Sequence, residues 1–269
     1  MALSKVGGNQ IDTVNGDLTV DTDTLHVNAA NNRVGIGTTS GARQLTVSNS
    51  GAALLLLEST GDDNGQLLFG DSADGTVGKV GYHHSTNHMF FNTNGSEQMR
   101  IDASGRVTIS NQPSFQARSN ISNLALSGYA NTTTHLNAFN VEYFDIGNNY
   151  DTSTSTFTAP VAGRYYVYTQ LQLTSNPATS DHSWGVNLHF QVNSAGNHAN
   201  GYVSLSTGQG GGSTTLFGTY GLLVKENILN LSANDTVRVA LSGNANINAG
   251  TIETATNDGR CRFGGHLLG

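Results

Sequence analysis

The amino-acid sequence predicts an all-β protein, on three observations. Only 12% of residues are charged, and the chain carries 33 Gly but only 3 Pro, which is not the composition of a disordered chain. The Ala, Glu, Lys and Leu of a helical protein, set at heptad-like spacing, are missing. What recurs instead is a short apolar-x-apolar triplet between polar turns, at Leu18/Val20, Leu25/Val27, Val34/Ile36 and Leu45/Val47. Many short strands separated by polar turns mark an all-β architecture.

The first members of these triplets lie 7, 9 and 11 residues apart, too loose for a regular solenoid. Further rungs are expected at 54–59, 65–70, 78–84, 88–93, 97–102 and 105–110. Turn signals stand between them: Asn15-Gly16, Asn31-Asn32, Asn64-Gly65, Asp74-Gly75, Asn94-Gly95 and Ser104-Gly105. Asn-Gly and Asp-Gly favour two-residue hairpins because both central residues take positive φ.

A rung of a few residues turns only two or three side chains inward. At about 25 cal/mol per Å² that burial does not offset about 1–2 kcal/mol of backbone entropy per ordered residue. The rungs need a cover, and two further copies of the same chain around a threefold axis supply it. The expectation is an elongated homotrimer, with residues 1–112 a β-rich trimeric stalk.

Pro113 interrupts the rung pattern, and a second domain is expected over 113–269. Its strands are predicted at 114–119, 136–146, 156–160, 164–174, 184–193, 201–206, 215–225, 235–242 and 260–268. Tyr166 and Tyr168 alternate onto one face, and Val186, Leu188, Phe190 and Val192 onto another. Tyr166 and Phe157 are expected in the core.

Within that half, FDIGNNYDTSTSTFTAPVAGRYYVYTQLQL (144–173) and the terminal Phe263-Gly264-Gly265-His266-Leu267-Leu268 resemble the globular head of the first complement component, the trimeric jelly roll shared with tumour necrosis factor. The resemblance spans 113–269 and implies a jelly-roll β-sandwich head. It departs at Ser155, where the family usually has Gly, at Asn234-Asp235 for Gly-Asp, and at His266 for an aromatic. In the first half, NNRVGIGTT (31–39), QLTV, GQLLFGD and FFNTNGSEQMRIDASGRVTI (90–109) resemble stalk repeats of bacteriophage tail fibres over residues 15–110. An ordinary β-sandwich with similar turns is the competing reading of those rungs.

Charge narrows the partners. Residues 1–112 hold 6 basic and 11 acidic residues, and 113–269 hold 6 and 8, for a total of −7. With no basic block, no nucleic-acid partner is expected. No apolar run approaches the ~18 residues of a membrane span, so no membrane insertion is expected. MALSKVGGNQ lacks the apolar stretch of a secretory signal. The one cysteine, Cys261, excludes an intrachain disulfide and reads as a small buried hydrophobe.

No catalytic residues, cofactor or metal are expected. His83, His84 and His88 form an HHxxxH cluster in a β context and read as exposed turn histidines, since two His four apart share a metal on a helix face. His26 or His189 on a threefold axis is the alternative route to a metal. Asp62, Asp63, Asp71 and Asp74 read as turn formers rather than as a glycosidase pair. GQGGGST (208–214) has no helix after it to bind phosphate.

The functional expectation is a phage tail-fibre or receptor-binding protein of the virion, assembled in the host cytoplasm. It adheres to a host surface glycan or protein receptor through the head and to other tail proteins through the N-terminal end. A bacterial surface or spore-coat trimeric adhesin and a glycan-cleaving fibre are the alternatives. Strand alternation in a jelly roll puts the 174–183, 207–214 and 243–259 loops at the tip, and 161–163, 194–200 and 226–234 facing the stalk. Asp181, His182, Asn246, Asn248 and Asn257 are the expected receptor contacts, with Trp184 as a stacking platform.

Overall fold

The computed structural model describes residues 18–20, 25–28, 30–39, 43–61, 63–121, 124–175, 185–193, 198–206, 221–243, 250–252 and 260–269. The chain divides into two compact units, residues 1–108 and 109–269.

The first unit holds two small sheets. β1 (Leu18–Val20), β2 (Leu25–Asn28) and β3 (Arg33–Ile36) form a meander, and β4 (Leu45–Val47) pairs with β3 in parallel. The second meander is β5 (Asn64–Phe69), β6 (Gly78–His83), β7 (His88–Thr93), β8 (Ser96–Ile101) and β9 (Val107–Ile109). Asn94 (φ 50°) and Gly95 (φ 72°) both take positive φ between the paired Thr93 and Ser96, the geometry of a two-residue hairpin.

Two expectations for this unit are corrected. Leu54–Leu57 form no strand; they lie exposed, Leu54 at 81%. At a period of two, four leucines in a row put two on each face, so a strand here needs cover on both sides. Asn64-Gly65 is no turn but the start of β5, because the Asn64↔His83 pairing carries the ladder through it. Asn15-Gly16 lies outside the described residues.

The second unit is a two-sheet antiparallel jelly-roll sandwich. In one sheet, β13 (Val141–Ile146), β10 (Ser114–Arg118), β22 (Arg262–Leu267) and β16 (Gly163–Ser175) lie side by side. Beyond β22, the same edge of β16 pairs with β21 (Gly250–Ile252), which pairs with β11 (Leu124–Ala125), and the opposite edge of β16 pairs with β19 (Gly221–Leu231). In the other, β18 (His198–Ser206), β17 (Gly185–Val192) and β20 (Thr236–Gly243) are neighbours. β15 (Thr156–Thr158), itself paired with β14 (Tyr150–Asp151), and β12 (Thr133–His135) share the remaining edge of β20 end to end.

Phe115 stacks on Phe157 at 4.5 Å and 9°, and Phe263 meets Phe115 edge-on at 5.0 Å. Around them Tyr150, Tyr165, Leu171, Leu188, Val237, Val239 and Leu241 fill the space between the sheets, as close-packed interiors require. Tyr150 donates its hydroxyl to the Phe139 carbonyl at 2.7 Å, and burial raises its pKa well above the usual tyrosine value.

Two of the positions that depart from the resembled pattern sit at backbone corners. Ser155 (φ 50°) and Asn234 (φ 71°) are left-handed, a conformation that glycine adopts without strain. Wholly buried, Ser155 accepts from the Phe139 amide and donates to Asn137 Oδ1, both at 2.9 Å.

Three expectations are corrected here. The strand placed at 215–225 continues to Leu231, so 226–231 is strand and not loop, and 215–220 lie outside the described residues. Lys225-Glu226-Asn227 reads as a polar stop, yet pairing with β16 continues through it to Leu231↔Gly163. Tyr166 is not core: Tyr165 points inward, and Tyr166 lies on the opposite face. A short strand, β21, falls inside the segment read as the 243–259 loop.

Candidate interaction face

Strict alternation along β16 and β19 separates a buried row from an outer one. Tyr165, Val167, Leu171 and Leu173 of β16 and Leu223, Leu229 and Leu231 of β19 enter the core. The partners of alternate parity, Tyr166 and Tyr168 with Leu222, Val224, Glu226 and Ile228, face away from it. Leu222, Val224 and Ile228 are 55%, 47% and 53% exposed. On the same face, at the β13 edge of the sheet, Phe144 and Ile146 are also exposed.

Polar contacts hold the aromatic residues of this face in place. The Tyr166 hydroxyl donates to Glu226 Oε2 at 2.5 Å, and that bond raises the tyrosine pKa. Gln116 donates to the Tyr168 hydroxyl. Tyr166 lies 6.0 Å from Tyr168 and 5.5 Å from His266, ring to ring. Gly264 makes this possible: a Cβ there would stand 2.6 Å from the Tyr168 ring. Beside the tyrosines a groove of about 350 Å³ is lined by Gln112, Phe144, Ile146, Tyr168, His266 and Leu267. Its chemistry is an apolar floor with a hydroxyl and an imidazole at the rim, suited to a protein surface.

The first unit also exposes apolar side chains, Ile36, Leu45, Leu67, Leu68 and Phe69 besides Leu54–Leu57. Large apolar side chains left exposed in this number point to interaction surfaces.

Asp181, His182, Trp184, Asn246, Asn248 and Asn257 all lie outside the described residues. The strand ends that border them share one pole of the sandwich. Leu173 pairs with Gly221 and Ser175 with Gly250 in one sheet, Gly185 with Ser206 and Val186 with Gly243 in the other. Leu124↔Ile252 and the Ala130↔Gly243 bridge tie those two edges together. The opposite pole holds Ser114↔His266 and Gly163↔Leu231.

The HHxxxH reading is corrected in part. His88 is buried and stacked on His83 at 5.1 Å. The Thr86 hydroxyl lies 2.7 Å from His88 Nδ1 and 3.2 Å from His83 Nδ1. Period-two pairing of β6 with β7 joins these two rings across the hairpin, which the HHxxxH spacing alone does not reveal. Among the described residues no three His, Cys, Asp or Glu side chains are grouped to hold a metal. His189 Nε2 lies 3.0 Å from the Ser242 hydroxyl. Asp71 accepts from the amides of Ala73 and Asp74, and Asp74 from the amide and hydroxyl of Thr76; those bonds hold both carboxyls below the usual range.

The apolar members of the outer face, Leu222, Val224 and Ile228, were not legible as a surface. Their signal, alternation through VKENILNL, appears only once the strand is extended past Asn227.

The second unit is thus an all-β jelly-roll domain with an apolar, aromatic outer sheet face. Residues 140–257 match the TNF (Tumour Necrosis Factor) family. Among solved structures, the globular domain of zebrafish complement 1qA protein is similar at 15% identity and a TM-score of 0.36, over 59% of this chain and 98% of that one. No curated protein matches the chain in sequence. Among the described residues no helix is long and apolar enough to cross a membrane.

Proposed function

We propose that the chain forms a homotrimeric adhesin, a phage tail-fibre or receptor-binding protein in which residues 1–108 build a β-rich stalk and 109–269 the head. The observation that carries this reading is the exposed apolar surface on both units: Leu222, Val224, Ile228 and Phe144 in one, Leu45, Leu54–Leu57 and Leu67–Phe69 in the other. Surfaces of this kind are covered in the working protein, and copies of one chain around an axis cover both at once. The family match over 140–257 supports a non-enzymatic, receptor-binding head. Similarity of the rungs to tail-fibre repeats supports the virion setting and attachment of the N-terminal end to other tail proteins.

Adhesion follows from geometry that repeats weak contacts. Three copies of each tip raise avidity by about 10²–10⁴ over one. Light scattering of the purified chain tests the assembly: three times the 28.2 kDa chain mass is expected. Val224→Asp with Ile228→Asp should release folded monomer, because a buried unpaired carboxylate is costly. A wild-type monomer overturns the reading.

A further inference from the structure

The face of the second sheet that points away from the core carries a polar array with no place in the assembly argued above. Antiparallel partners share a face, so the pairings fix its rows. Thr133, Ser242 and Asn187 form one row; His135, Ala240 and His189 the next; Thr156, Arg238 and Gln191 the third. The alternate residues Val237, Val239 and Leu241 lie in the core. Ala240, wholly buried, stands at the centre of the array with an imidazole on either side.

β12 and β15 meet end to end on the edge of β20, and His135 is the last residue of β12. Burial, then the Arg238 charge, pushes the His135 pKa down, against the backbone of Ser155 just before β15, which favours the protonated ring. On the other side of Ala240, His189 is tied to the Ser242 hydroxyl, which also receives Asn187 Nδ2 at 3.4 Å.

Two buried nitrogens in this array have no hydrogen-bond partner, His135 Nε2 and Arg238 Nε. A buried donor left unpaired costs about 1–3 kcal/mol, so such groups in native proteins ask for a function. Both residues are only partly buried as a whole, so part of each side chain reaches the surface. Among the described residues no carboxylate pairs with the guanidinium. Asp151 shares the row of Arg238 through Thr156, but its oxygens accept from the Ser153 amide and hydroxyl and from the Thr154 hydroxyl. No ion pair involving Arg238 is formed among the described residues.

We propose that this array binds one oxyanion of an acidic glycan, a carboxylate or a sulfate ester, between Arg238 and His135. The guanidinium supplies the planar fork that suits such groups. His135 supplies a further N–H when protonated. An anion beside Nε2 favours the imidazolium, so binding takes up a proton and tightens as pH falls. The site names a ligand class for the adhesive reading above and rests on it only for the word glycan.

The test is ligand-observed NMR on the full chain with sodium glucuronate, glucose 6-sulfate and neutral glucose, at pH 5.5 and 7.5 and constant ionic strength. Saturable binding of at least one anion and none of glucose is expected, about tenfold tighter at pH 5.5 for one proton linked over a unit of pKa. Binding of glucuronate alone assigns a carboxylate, and of the sulfate alone a sulfate ester. Arg238→Gln should abolish binding at both pH values, and Arg238→Lys, which keeps the charge without the fork, should weaken it. His135→Gln should retain binding but lose its pH dependence. Equal binding by Arg238→Gln, an unchanged pH dependence in His135→Gln, or no saturable binding of either anion overturns the proposal. Light scattering on the same samples reports the trimer separately, so failure of this site leaves the assembly reading standing.

Discussion

Tyr165 and Tyr166 are adjacent in β16 and face opposite ways. The Tyr165 ring is wholly buried and its hydroxyl donates to the Val161 carbonyl at 2.8 Å; the Tyr166 hydroxyl donates to Glu226 on the outer face. One residue holds the sandwich together and its neighbour shapes the surface. That division separates mutations of stability from mutations of assembly.

Phe157→Ala should therefore destabilise the second unit by about 3–5 kcal/mol, since it removes a buried ring stacked on Phe115. Tyr166→Phe should change stability by less than about 1 kcal/mol, because it removes one exposed hydrogen bond. Denaturant unfolding of both variants measures the contrast. Equal losses would mean that the two faces of β16 are not distinct.

Asn234 holds a left-handed turn at φ 71°, its amide donating to the Ala159 carbonyl at 2.7 Å. Asn234→Gly should be neutral or slightly stabilising, and Asn234→Ala should cost about 1–2 kcal/mol. The thermal midpoints should then rank Gly at or above wild type and Ala below it; Ala equal to Gly contradicts the strain argument.

His88 gives the first unit a pH dependence. Burial, then the nearby Arg100 charge, lowers its pKa against the opposing pull of Glu97. Its folded pKa is depressed below the ordinary histidine value of ~6.5, so the unfolded state binds the proton more readily. Its contribution is complete above that value and is lost as pH falls through the unfolded pKa toward the folded one. Unfolding of the first unit, followed from pH 8 to 5, should show falling stability below ~6.5, and His88→Asn should flatten that slope. A wild-type slope in the variant assigns the effect elsewhere.

The second unit has its own closed core, so residues 109–269 expressed alone should fold cooperatively. The first unit alone should fold poorly, because short rungs slip in register when nothing anchors them. Circular dichroism melts of the two segments decide this; an autonomously folded, trimeric first unit refutes the coupling.

The tip reading is tested on cells. A trimer with Ala at Asp181, Asn246 and Asn257 together should lose most binding while its melting temperature stays unchanged. Full binding moves the receptor contact to the sides of the head, where Arg238 and His135 lie.

What the sequence by itself determined is local. Leu18/Val20 through Leu45/Val47 are strands because alternation and turn residues act over a few positions, and Asn94-Gly95 is a hairpin because its residues tolerate positive φ. Ser155 and Asn234 stood out as turn positions only through the resemblance, which puts Gly there. Only the tertiary structure decided the rest. β19 runs on to Leu231 because β16, some 60 residues earlier in the chain, pairs through Lys225 and Asn227. His88 is buried because β6 lays His83 across it. His135 and Arg238 share a face only because β12 and β20 are partners. Each depends on which distant strand supplies the second half of a ladder, and the free energy of that choice lies in burying both partners together, not in the local preference of either.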